Sequence, residues 1–326
     1  MNRVNILFTS VGRRVALVQL FRDALDDLGV AGTIVTADMQ SLVPARFTGD
    51  VHETVPAVCD SGYVDRLIQI CQEHDINLLV PLIDTELLLL ARNNDRFAEL
   101  GVTLLSSSEA VTEITIDKRR THDFFVANGI VTPRVYPSDY PWANGVSFPV
   151  MLKPALGSGS IGVVQASNLQ ELEFHFRSIC NPIVQEYVTG DEYTLDILVD
   201  LAGKVRSVVP RKRLEVRAGE MSKGVTVKHS ELIAEGVRIA ELLPGARGPI
   251  TLQCFLTDDG TITSIEINPR FGGGFPLSAA AGANFPRWII EWVLGRDPEI
   301  GLTDWVDGLH MLRYDEAHFT RWEAHS

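Results

Sequence analysis

The sequence predicts a doubly wound α/β domain with a parallel sheet, followed by an α+β region that is denser in strands. Up to about residue 110, short β-branched runs alternate with segments of helical periodicity, which implies right-handed βαβ units. Beyond that point, alternating strand patterns flank glycine-rich and "DG" turns, which favours antiparallel sheets. The length of 326 residues is sufficient for two or three domains.

The first region is predicted to alternate regularly between strands and helices. Its segments are the strand "VNILFTS", the helix "RRVALVQLFRDALDDLG", the strand "AGTIVTAD", the helix "YVDRLIQICQEHD", the strand "INLLVPL", the helix "DTELLLLARNNDRFAELG" and the strand "VTLLSS". The turn after the first strand, "TSVGRR", contains one glycine, so the GxGxxG fingerprint of dinucleotide-binding domains is absent.

Two acidic residues follow the third predicted strand of this region. Ligands of doubly wound sheets bind at the carboxyl ends of the strands, which makes Asp84 and Glu86 candidate substrate contacts. Both also suit the first turn of a helix, where carboxylates accept hydrogen bonds from free amides. Asp38, at the end of the second strand, is likewise a candidate ribose ligand or a helix cap.

The second region begins near residue 112, where the strand and helix pattern changes. Its segments are the helix "DKRRTHDFFVANGI", the proline-rich connection "VTPRVYPSDYPWANG", the strand pair "FPVMLKPALGSGSIGVVQA", the helix "NLQELEFHFRSI" and the strand "PIVQEYV". Several further antiparallel strand patterns follow. This change of organisation indicates a domain boundary.

Composition and charge exclude several classes of protein. The formal net charge of −13 opposes binding to nucleic acid, and the chain has no basic run that reverses it. No run reaches the ~18 to 20 apolar residues of a membrane span, and the start lacks the features of a signal peptide. The cysteines lie in apolar or helical contexts that suit buried thiols in a reducing cytoplasm, at Cys59, Cys71, Cys180 and Cys254.

The glycine-rich turn of "LKPALGSGSIGVV" is a candidate phosphate site. Gly157, Ser158, Gly159 and Ser160 join two predicted strands, and their free amides could surround phosphate oxygens. Lys153 precedes the turn, where its ammonium could reach the same phosphates. The order of lysine and glycines is the reverse of a Walker A loop, and a plain hairpin turn is the alternative.

The segment "TLQCFLTDDGTITSIEINPR" predicts a hairpin that carries polar side chains. With Asp259 and Gly260 as the two loop residues, Gln253 lies opposite Glu266, and Asn268 shares their face. This register points Ile265 and Ile267 into the core, and a three-residue loop would break it.

Oxygen donors of this kind suit Mg²⁺ that is held jointly with substrate phosphates. A polar face on an exposed hairpin is the alternative interpretation of Gln253, Glu266 and Asn268. Pro269 ends the strand, and Arg270 then places a guanidinium where it could stabilise a transferring phosphoryl group.

Together these segments resemble the ATP-grasp enzymes, from the helix that carries Lys118 to about residue 295. The resemblance implies that Lys118 and Lys153 bind ATP phosphates and that the loop "GSGSIG" covers them. It also implies that "QEYVTGDE" forms the adenine hinge and that Glu192 binds the ribose. The hinge residues that would contact the base are Gln185, Glu186, Tyr187 and Val188.

The metal ligands implied by the resemblance are Glu266, Asn268 and, thirteen positions before Glu266, Gln253. Many members have a carboxylate at the position of Gln253, and the neutral amide here leaves one or more metal positions less strongly charged. Glutamine there and the "NPR" ending resemble one unit of the carbamoyl phosphate synthetase large subunit. That subunit has two such units and an ammonia-delivering partner, so complete carbamoyl phosphate synthesis is not expected.

The resemblance also divides the chain. Residues 1–112 resemble the preATP-grasp βα domain, residues 113–188 the central lobe with the glycine-rich loop, and residues 189–326 the carboxyl-terminal lobe with the metal site. The sequence therefore predicts an α/β and α+β protein in which a doubly wound parallel sheet precedes a two-lobed ATP-grasp domain.

The stretch "RKRLEVRAGEMSKGVTVKH" is the most basic part of this acidic chain. In related ATP-grasp proteins, a segment at this point closes over the acyl substrate, so Arg213 and Arg217 are candidates for pairing with a carboxylate or phosphoryl oxygen. A solvated edge strand is the alternative. The acid is expected to contact this stretch, the first domain and the loop formed by Gly272, Gly273 and Gly274.

The activity implied is that of an ATP-dependent ligase, which activates a small-molecule carboxylate as an acyl phosphate and joins it to an amine. Mg²⁺ or Mn²⁺ would assist, and Lys153 and Arg270 would spread the developing charge. Another ATP-driven phosphoryl or carboxyl transfer and a noncatalytic ATP-binding module are the alternatives. A homodimer is common in such folds, and no nucleic acid or membrane partner is expected.

Overall fold

The protein was analysed as a computed structural model, which describes residues 3–137, 145–157, 159, 161–217 and 219–321. Ser158, Ser160 and part of the proline-rich connection lie outside the described residues. Within these ranges the helices are α1 (Val15–Leu28), α2 (Tyr63–Glu73), α3 (Asp84–Arg92), α4 (Asn94–Ala98), α5 (Glu109–Ile116), α6 (Lys118–Ala127), α7 (Leu169–Ser178), α8 (Ser230–Leu242), α9 (Phe275–Ala280) and α10 (Phe285–Val293).

The strands of the described ranges form three sheets. They are β1 (Ile6–Thr9), β2 (Ile34–Asp38), β3 (Val51–Thr54), β4 (Leu78–Pro81), β5 (Thr103–Leu104), β6 (Val135–Tyr136), β7 (Val150–Pro154), β8 (Val164–Ala166), β9 (Pro182–Glu186), β10 (Asp191–Val199), β11 (Val205–Arg217), β12 (Glu220–Thr226), β13 (Gly248–Leu256), β14 (Ile262–Asn268) and β15 (His310–Leu312).

The first sheet is parallel throughout, with the strand order β3, β2, β1, β4, β5. The inner strands β1, β2 and β4 are buried along their whole length, because helices cover both faces of the sheet. Along β1, Ile6 and Phe8 pack into one core cluster and Leu7 into another. The doubly wound domain predicted from the alternating pattern is therefore confirmed.

Three details of this domain differ from the sequence prediction. The long helix expected after β4 is two helices, α3 and α4, separated at Asn93, whose side-chain amide donates to the carbonyl of Leu89. Strand β3 was not predicted, because "VHET" is a short and partly exposed edge strand without apolar alternation. Helix α5 was also missed, although Ser108 caps it by accepting from the Val111 amide.

The two other sheets are antiparallel and are formed by the strands that follow residue 112. A four-stranded sheet has the order β6, β9, β7, β8, and a six-stranded sheet has the order β14, β13, β10, β11, β12, β15. Residues of the six-stranded sheet share a core cluster with β1 and α1 of the first domain. The first domain and the large sheet are therefore packed together rather than joined only by the chain.

The register of the β13 and β14 hairpin is as predicted, but for a different physical reason. Gln253 does pair with Glu266, yet the hairpin closes through a longer loop, in which the Thr257 amide donates to the Thr261 carbonyl. Because this loop alone would shift the register, a β-bulge at Ile265 restores it. Ile267 is buried as expected, whereas Ile265 lines a cavity instead of entering the core.

The expectation that the cysteines are buried is correct for two of them and wrong for the other two. Cys71 and Cys254 are buried, but Cys59 and Cys180 are exposed, because the first lies in the turn before α2 and the second follows α7. Among the helices of the described ranges, none combines the length and the apolar character needed to cross a bilayer.

Candidate functional site

A cavity of about 450 Å³ lies between the four-stranded and six-stranded sheets, and we call it the first cavity. Strands β7 and β9 line it from one side, and β13 and β14 line it from the other. The sequence-predicted residues that line it are Lys118, Lys153, Gly157, Gln185, Glu186, Tyr187, Val188, Glu192, Gln253 and Glu266. The fold thus brings together residues that are more than 140 positions apart in the sequence.

The two predicted phosphate-binding lysines face the same part of the first cavity. The ammonium of Lys118 donates to the carbonyl of Gly157, with Nζ and O 2.6 Å apart. Lys153 is 6% exposed, and burial lowers its pKa to about 8 even though Glu266 opposes this shift. Lys153 makes no ion pair with any described residue, so its charge is available to a ligand.

The glycine-rich turn has the backbone freedom that the prediction required. Gly157, Gly159 and Gly162 have φ angles of 102°, 72° and 73°, a region that other residues rarely adopt. Gly157 lines the first cavity and Gly159 lines its neighbour. The predicted contacts of Ser158 and Ser160 lie outside the described residues.

The mouth of the first cavity is apolar, a feature that the sequence analysis missed. Ile161 is 82% exposed and Leu156 is 52% exposed, and both line the cavity beside the half-exposed Tyr187. Beyond the end of β9 the chain leaves the hydrogen-bonded ladder, which places the backbone of Tyr187 and Val188 along the cavity wall. Apolar walls with adjacent backbone polar groups suit a planar heterocyclic ligand.

A second cavity, of about 250 Å³, lies between the six-stranded sheet and the carboxyl end of the parallel sheet. Gln253 and Glu266 line both this cavity and the first. The other sequence-predicted residues that line it are Asp84, Gly159, Arg213, Asn268, Arg270, Gly272, Gly273 and Gly274. The two cavities are therefore adjacent, and they meet at two of the three predicted metal ligands.

Strand pairing explains why these side chains converge. Gln253 pairs with Glu266 on one side and with Thr194 on the other, and Thr194 in turn pairs with Arg211. Residues opposite one another in a ladder point to the same face of the sheet, so this row forms one wall of the second cavity. Asn268, two residues after Glu266, extends the same face.

The three oxygen donors on this wall fit a divalent cation. The carboxylate of Glu266 makes no hydrogen bond or ion pair with any described side chain, and Asn268 Oδ1 lies 3.5 Å from Arg270 Nη2. One carboxylate and two amide oxygens would neutralise a magnesium ion only in part, which leaves positions for phosphate oxygens. Three buried polar atoms around the second cavity also lack a partner, namely Asp84 Oδ1, Arg213 Nε and Arg270 Nε.

Carboxylates hold three arginines at the second cavity. Arg270 binds Asp84 across the domain boundary, with Nη2 and Oδ2 2.5 Å apart. Arg213 binds Glu192, a residue predicted to contact ribose, and burial raises the pKa of Glu192 despite this pair. Arg211 is 1% exposed and donates two hydrogen bonds, of 2.6 and 3.0 Å, to Asp196.

Two sequence-predicted residues lie away from the cavities. Glu86 is fully buried and accepts hydrogen bonds from the Leu82 and Ile83 amides and from Tyr63, so it stabilises the turn before α3 rather than contacting a substrate. Arg217 is 70% exposed and pairs with Asp315, because β11 carries it beyond the cavity. Of the two acids after β4, only Asp84 faces the site.

The glycine loop Gly272–Gly274 is required for close approach of charged side chains to the backbone. A Cβ atom on Gly273 would lie 3.0 Å from Arg14 Nη1 and 3.1 Å from Glu220 Oε1. A Cβ atom on Gly274 would collide with Arg211 Nη1. The three glycines therefore form a wall, against which arginines pack at Gly273 and Gly274, whereas Gly272 faces Thr251 and Asp196.

The sequence analysis missed Arg14, Arg211 and Glu220. A signal for Arg14 was present, because it follows β1, and the sheet order reverses between β1 and β4, where ligands of such sheets bind. Arg211 lies in the same row of the sheet as Gln253, two strands away, but that pairing is not readable from local sequence. Glu220 was within the basic stretch, where it was overlooked among the cations.

A further group of possible metal ligands lies elsewhere in the first domain. Atoms of Glu53, Glu73 and His74 lie within 4.8 Å of one another. Arg66 pairs with both carboxylates, at 2.7 and 3.2 Å, and therefore compensates their charge. We interpret this group as a surface ion-pair network.

Known proteins resemble both the amino-terminal and the carboxyl-terminal parts of the chain. Residues 6–105 match the family of PylC-like N-terminal domains, and residues 179–316 match a family described as ATP-grasp in the biosynthetic pathway with Ter operon. A D-alanine–D-alanine ligase of Fusobacterium nucleatum is 26% identical over 183 residues, which cover 53% of this chain and 62% of the ligase. A carbamoyl-phosphate synthase of Methanobrevibacter smithii is 23% identical over 246 residues, which cover 70% of this chain and 66% of the synthase.

The chain thus spans slightly less than two thirds of the length of these two relatives. Among solved structures, the biotin carboxylase domain of the Hydrogenobacter thermophilus 2-oxoglutarate carboxylase, a dimer in complex with MgADP and bicarbonate, superimposes with a TM-score of 0.73. The identity is 17%, over 94% of this chain and 73% of that chain, so this likeness establishes the fold. With a PylC-like N-terminal domain before its ATP-grasp region, the chain belongs to the ATP-grasp superfamily.

Proposed function

We propose that the protein is an ATP- and Mg²⁺-dependent ligase that joins a small-molecule carboxylate to an amine through an acyl phosphate. The observation that carries the proposal is the adjacency of the two cavities at Gln253 and Glu266. The first cavity combines an apolar mouth with two lysines, and the second is rich in arginine. A triphosphate that enters through the first would present its terminal phosphate to an acid in the second.

In the first cavity, the base would bind between Ile161 and the hinge, with its polar edge toward the backbone of Tyr187 and Val188. Glu192 has one carboxylate oxygen held by Arg213, which leaves the other for the ribose. Lys118, Lys153 and the amides of the glycine-rich turn would bind the phosphates. The glycine-rich turn is already tied to Lys118, so the phosphate site is partly assembled without a ligand.

Glu266, Asn268 and Gln253 would hold the metal ion. When bound, Mg²⁺ would neutralise phosphate charge and so make the terminal phosphorus accessible to an anionic nucleophile. Because Gln253 contributes no charge, Lys153 would supply part of the neutralisation, and its electrostatic interaction with Glu266 is consistent with that role. Mn²⁺ shares the preference for oxygen ligands and is expected to substitute.

In the second cavity, the acid would bind between Arg270 and the Gly272–Gly274 loop. One carboxylate oxygen attacks the terminal phosphorus, the bond to the bridging oxygen breaks, and ADP leaves. The amine nitrogen then attacks the acyl carbon, and the phosphate leaves with the proton that the nitrogen gives up. Catalysis would rest on positioning and electrostatic stabilisation, since no side chain forms a covalent bond to the substrate.

The test is ADP release with Mg²⁺ and ATP against pooled carboxylic acids, with hydroxylamine as a small amine and mass detection of hydroxamates. We expect ADP release that depends on the acid, together with a hydroxamate, and loss of both in Glu266→Ala. Glu99→Ala, which removes an exposed carboxylate of the first domain, is the matched control and should retain both.

Other outcomes discriminate the alternatives. Phosphorylated or carboxylated product without a hydroxamate would instead indicate another ATP-driven transfer. Binding of ATP without ADP release in any pool would favour a noncatalytic nucleotide-binding module and would contradict the proposal. The cytoplasmic location and the homodimer also remain proposals, which fractionation of cells and light scattering would test.

A further inference from the structure

A third cavity, of about 170 Å³, lies on the side of the second cavity that is remote from the first. The turn after β1 lines it, together with the glycine loop and Arg313 from the segment after β15. It shares Arg14, Ile83, Glu220, Gly272 and Gly273 with the second cavity, and no described residue with the first. The three cavities therefore follow one another in a row.

If the proposed function is correct, each cavity in this row would bind a different substrate. The nucleotide would occupy the first cavity and the acid the second, beside the metal ligands. The second substrate must reach the acyl carbon without passing the nucleotide, and the third cavity provides that approach. A site there is therefore suited to the amine.

Arg14 distinguishes the third cavity electrostatically. The other arginines that line the second cavity, Arg211, Arg213 and Arg270, each pair with a carboxylate. Arg14 makes no ion pair with any described residue, although it is largely buried. Burial lowers its pKa to about 10, and Arg270 contributes to the shift, so its guanidinium is still charged at neutral pH.

The charges around Arg14 leave a net positive site. Among the described residues that line the third cavity, the cations are Arg13, Arg14 and Arg313, and the anion is Glu220. Arg313 already pairs with Glu220 Oε2 at 2.9 Å. Arg14 Nη1 and Glu220 Oε1 both approach Gly273, yet they do not form an ion pair with each other. The carboxylates of Glu220 and Asp84 attract Arg14 without pairing with it, so its guanidinium can still donate to an anionic group.

We propose that the third cavity binds the amine substrate through a carboxylate that takes no part in the reaction, and that Arg14 is the residue that selects for it. The amine is then an amino acid or a similar compound with both groups. Its carboxylate binds Arg14, and its nitrogen points past the glycine loop toward the acyl carbon in the second cavity. This inference rests on the proposed ligase function.

The reaction consumes only the amine of this substrate. The neutral nitrogen forms a bond to the acyl carbon, the bond between that carbon and the phosphate oxygen breaks, and the phosphate accepts the proton that the nitrogen loses. The carboxylate at Arg14 is unchanged throughout. Arg14 therefore contributes to recognition of the amine, so its loss should appear mainly in KM for that substrate.

The experiment compares amines that differ only in the carboxylate. With ATP, Mg²⁺ and the acid identified by hydroxamate formation, kcat/KM is measured for glycine against methylamine and for alanine against ethylamine. We expect the amino acids to be favoured by roughly 10- to 100-fold, as for one charge-assisted hydrogen-bonding pair. In Arg14→Gln, the ratio of kcat/KM for the amino acid to kcat/KM for the matching amine should fall toward one, chiefly because KM for the amino acid rises. Arg14→Lys should restore part of this ratio.

Arg22→Gln is the control, because Arg22 lies on helix α1, which begins directly after Arg14, and pairs with Asp50 away from the cavities. It should retain the wild-type ratio. Thermal unfolding of each variant separates loss of folding from loss of recognition, and the ratio is insensitive to the fraction folded. Phosphoethanolamine distinguishes the two anion classes, and a clear preference for it would overturn the assignment of a carboxylate.

Two negative results have different meanings. If the wild-type protein forms a hydroxamate but uses amino acids and simple amines equally, the inference about Arg14 is wrong and the ligase proposal stands. If no acid gives a hydroxamate, the ligase proposal itself fails. A ratio that is unchanged in Arg14→Gln would also overturn the inference.

Discussion

At Glu86, one buried carboxylate holds the turn that presents Asp84 to the second cavity. It accepts from the Leu82 amide at 2.9 Å and from the Ile83 amide at 3.2 Å, and Tyr63 and Ser10 donate to its other oxygen. Burial raises the pKa of Glu86, although these donors oppose the shift. The position of Asp84, and through it that of Arg270, thus depends on a residue that contacts no ligand.

Glu86→Ala should therefore destabilise the protein. It leaves the buried Leu82 amide and the partly buried Ile83 amide without an acceptor, at about 1–3 kcal/mol each when unsatisfied, so we expect a loss of about 2–6 kcal/mol in the free energy of unfolding. Urea denaturation measures the change. Glu99→Ala, at an exposed site, should change stability by less than about 0.5 kcal/mol. A loss no larger than in this control would contradict the structural role of Glu86.

Gln253→Glu should increase the affinity for the metal ion. The substitution adds a second carboxylate beside Glu266, and an extra negative ligand strengthens the binding of a hard cation. We expect the Mg²⁺ concentration for half-maximal ATP binding to fall by roughly 3- to 10-fold, as measured by calorimetry. Gln165→Glu, at an exposed position on β8, is the control and should leave it unchanged. An unaltered Mg²⁺ requirement in Gln253→Glu would argue against this metal site.

At the scale of single residues, the sequence was informative where chemistry and spacing coincide. Lys153, Glu266 and Asn268 are polar residues within apolar strands, which made them candidates, and the resemblance to ATP-grasp enzymes then implied a role for each. Arg14 and Arg211 were missed because their significance depends on partners. Arg211 is paired and Arg14 is unpaired only in the folded chain, where segments distant in sequence meet.

At the scale of elements, the hairpin of β13 and β14 shows how a correct register can have an unexpected cause. The "DG" pattern predicted the turn, but the actual loop is one residue longer than assumed. The bulge at Ile265 compensates, and it also turns Ile265 toward the first cavity next to Glu266. A bulge leaves no compositional signature in "SIEIN", so this detail could not be predicted from the sequence.

The glycine loop is the element most sensitive to a small substitution. In Gly274→Ala, the added methyl group would collide with Arg211 and Met221, which would displace Arg211 from Asp196. We expect kcat/KM of the proposed ligase reaction to fall at least roughly 10-fold, as for loss of a charge-assisted contact. Gly29→Ala is the control, because its φ of 61° makes alanine strained there while nothing lies within 4 Å.

The two glycine variants should therefore affect different properties, namely stability in Gly29→Ala and activity in Gly274→Ala. Gly29→Ala should lower the melting temperature and leave kcat/KM per folded molecule close to that of the wild type. Gly274→Ala should lower kcat/KM in molecules that are folded, as judged by circular dichroism. Equal activity of the two variants would show that the wall formed by Gly272–Gly274 does not position the arginines.

At the scale of the whole molecule, the site exists because the first domain and the large sheet share one core. A series of aromatic rings runs from Phe8 through Phe21 to Phe271, Phe275 and Phe285, with neighbouring ring centroids 4.8 to 5.8 Å apart. Phe271 lies between Arg270 and the glycine loop, so the same packing that joins the domains also fixes the second and third cavities.

The last prediction concerns the coupling of these domains. Phe21 on α1 meets Phe271 edge to face, with centroids 5.8 Å apart, and such pairs contribute about 0.5–1.5 kcal/mol beyond their buried area. A double-mutant cycle of Phe21→Leu and Phe271→Leu should therefore give a coupling energy of this size in urea denaturation.

The matched cycle pairs Phe271→Leu with Phe97→Leu, because Phe97 belongs to the separate core on the other face of the parallel sheet. Its coupling energy should be within about 0.5 kcal/mol of zero. A shared core also predicts that the first domain and the large sheet unfold in one transition. Two separate transitions, or no coupling between Phe21 and Phe271, would mean that the domains pack only loosely, and the second and third cavities, which residues of both line, would then lack a fixed geometry.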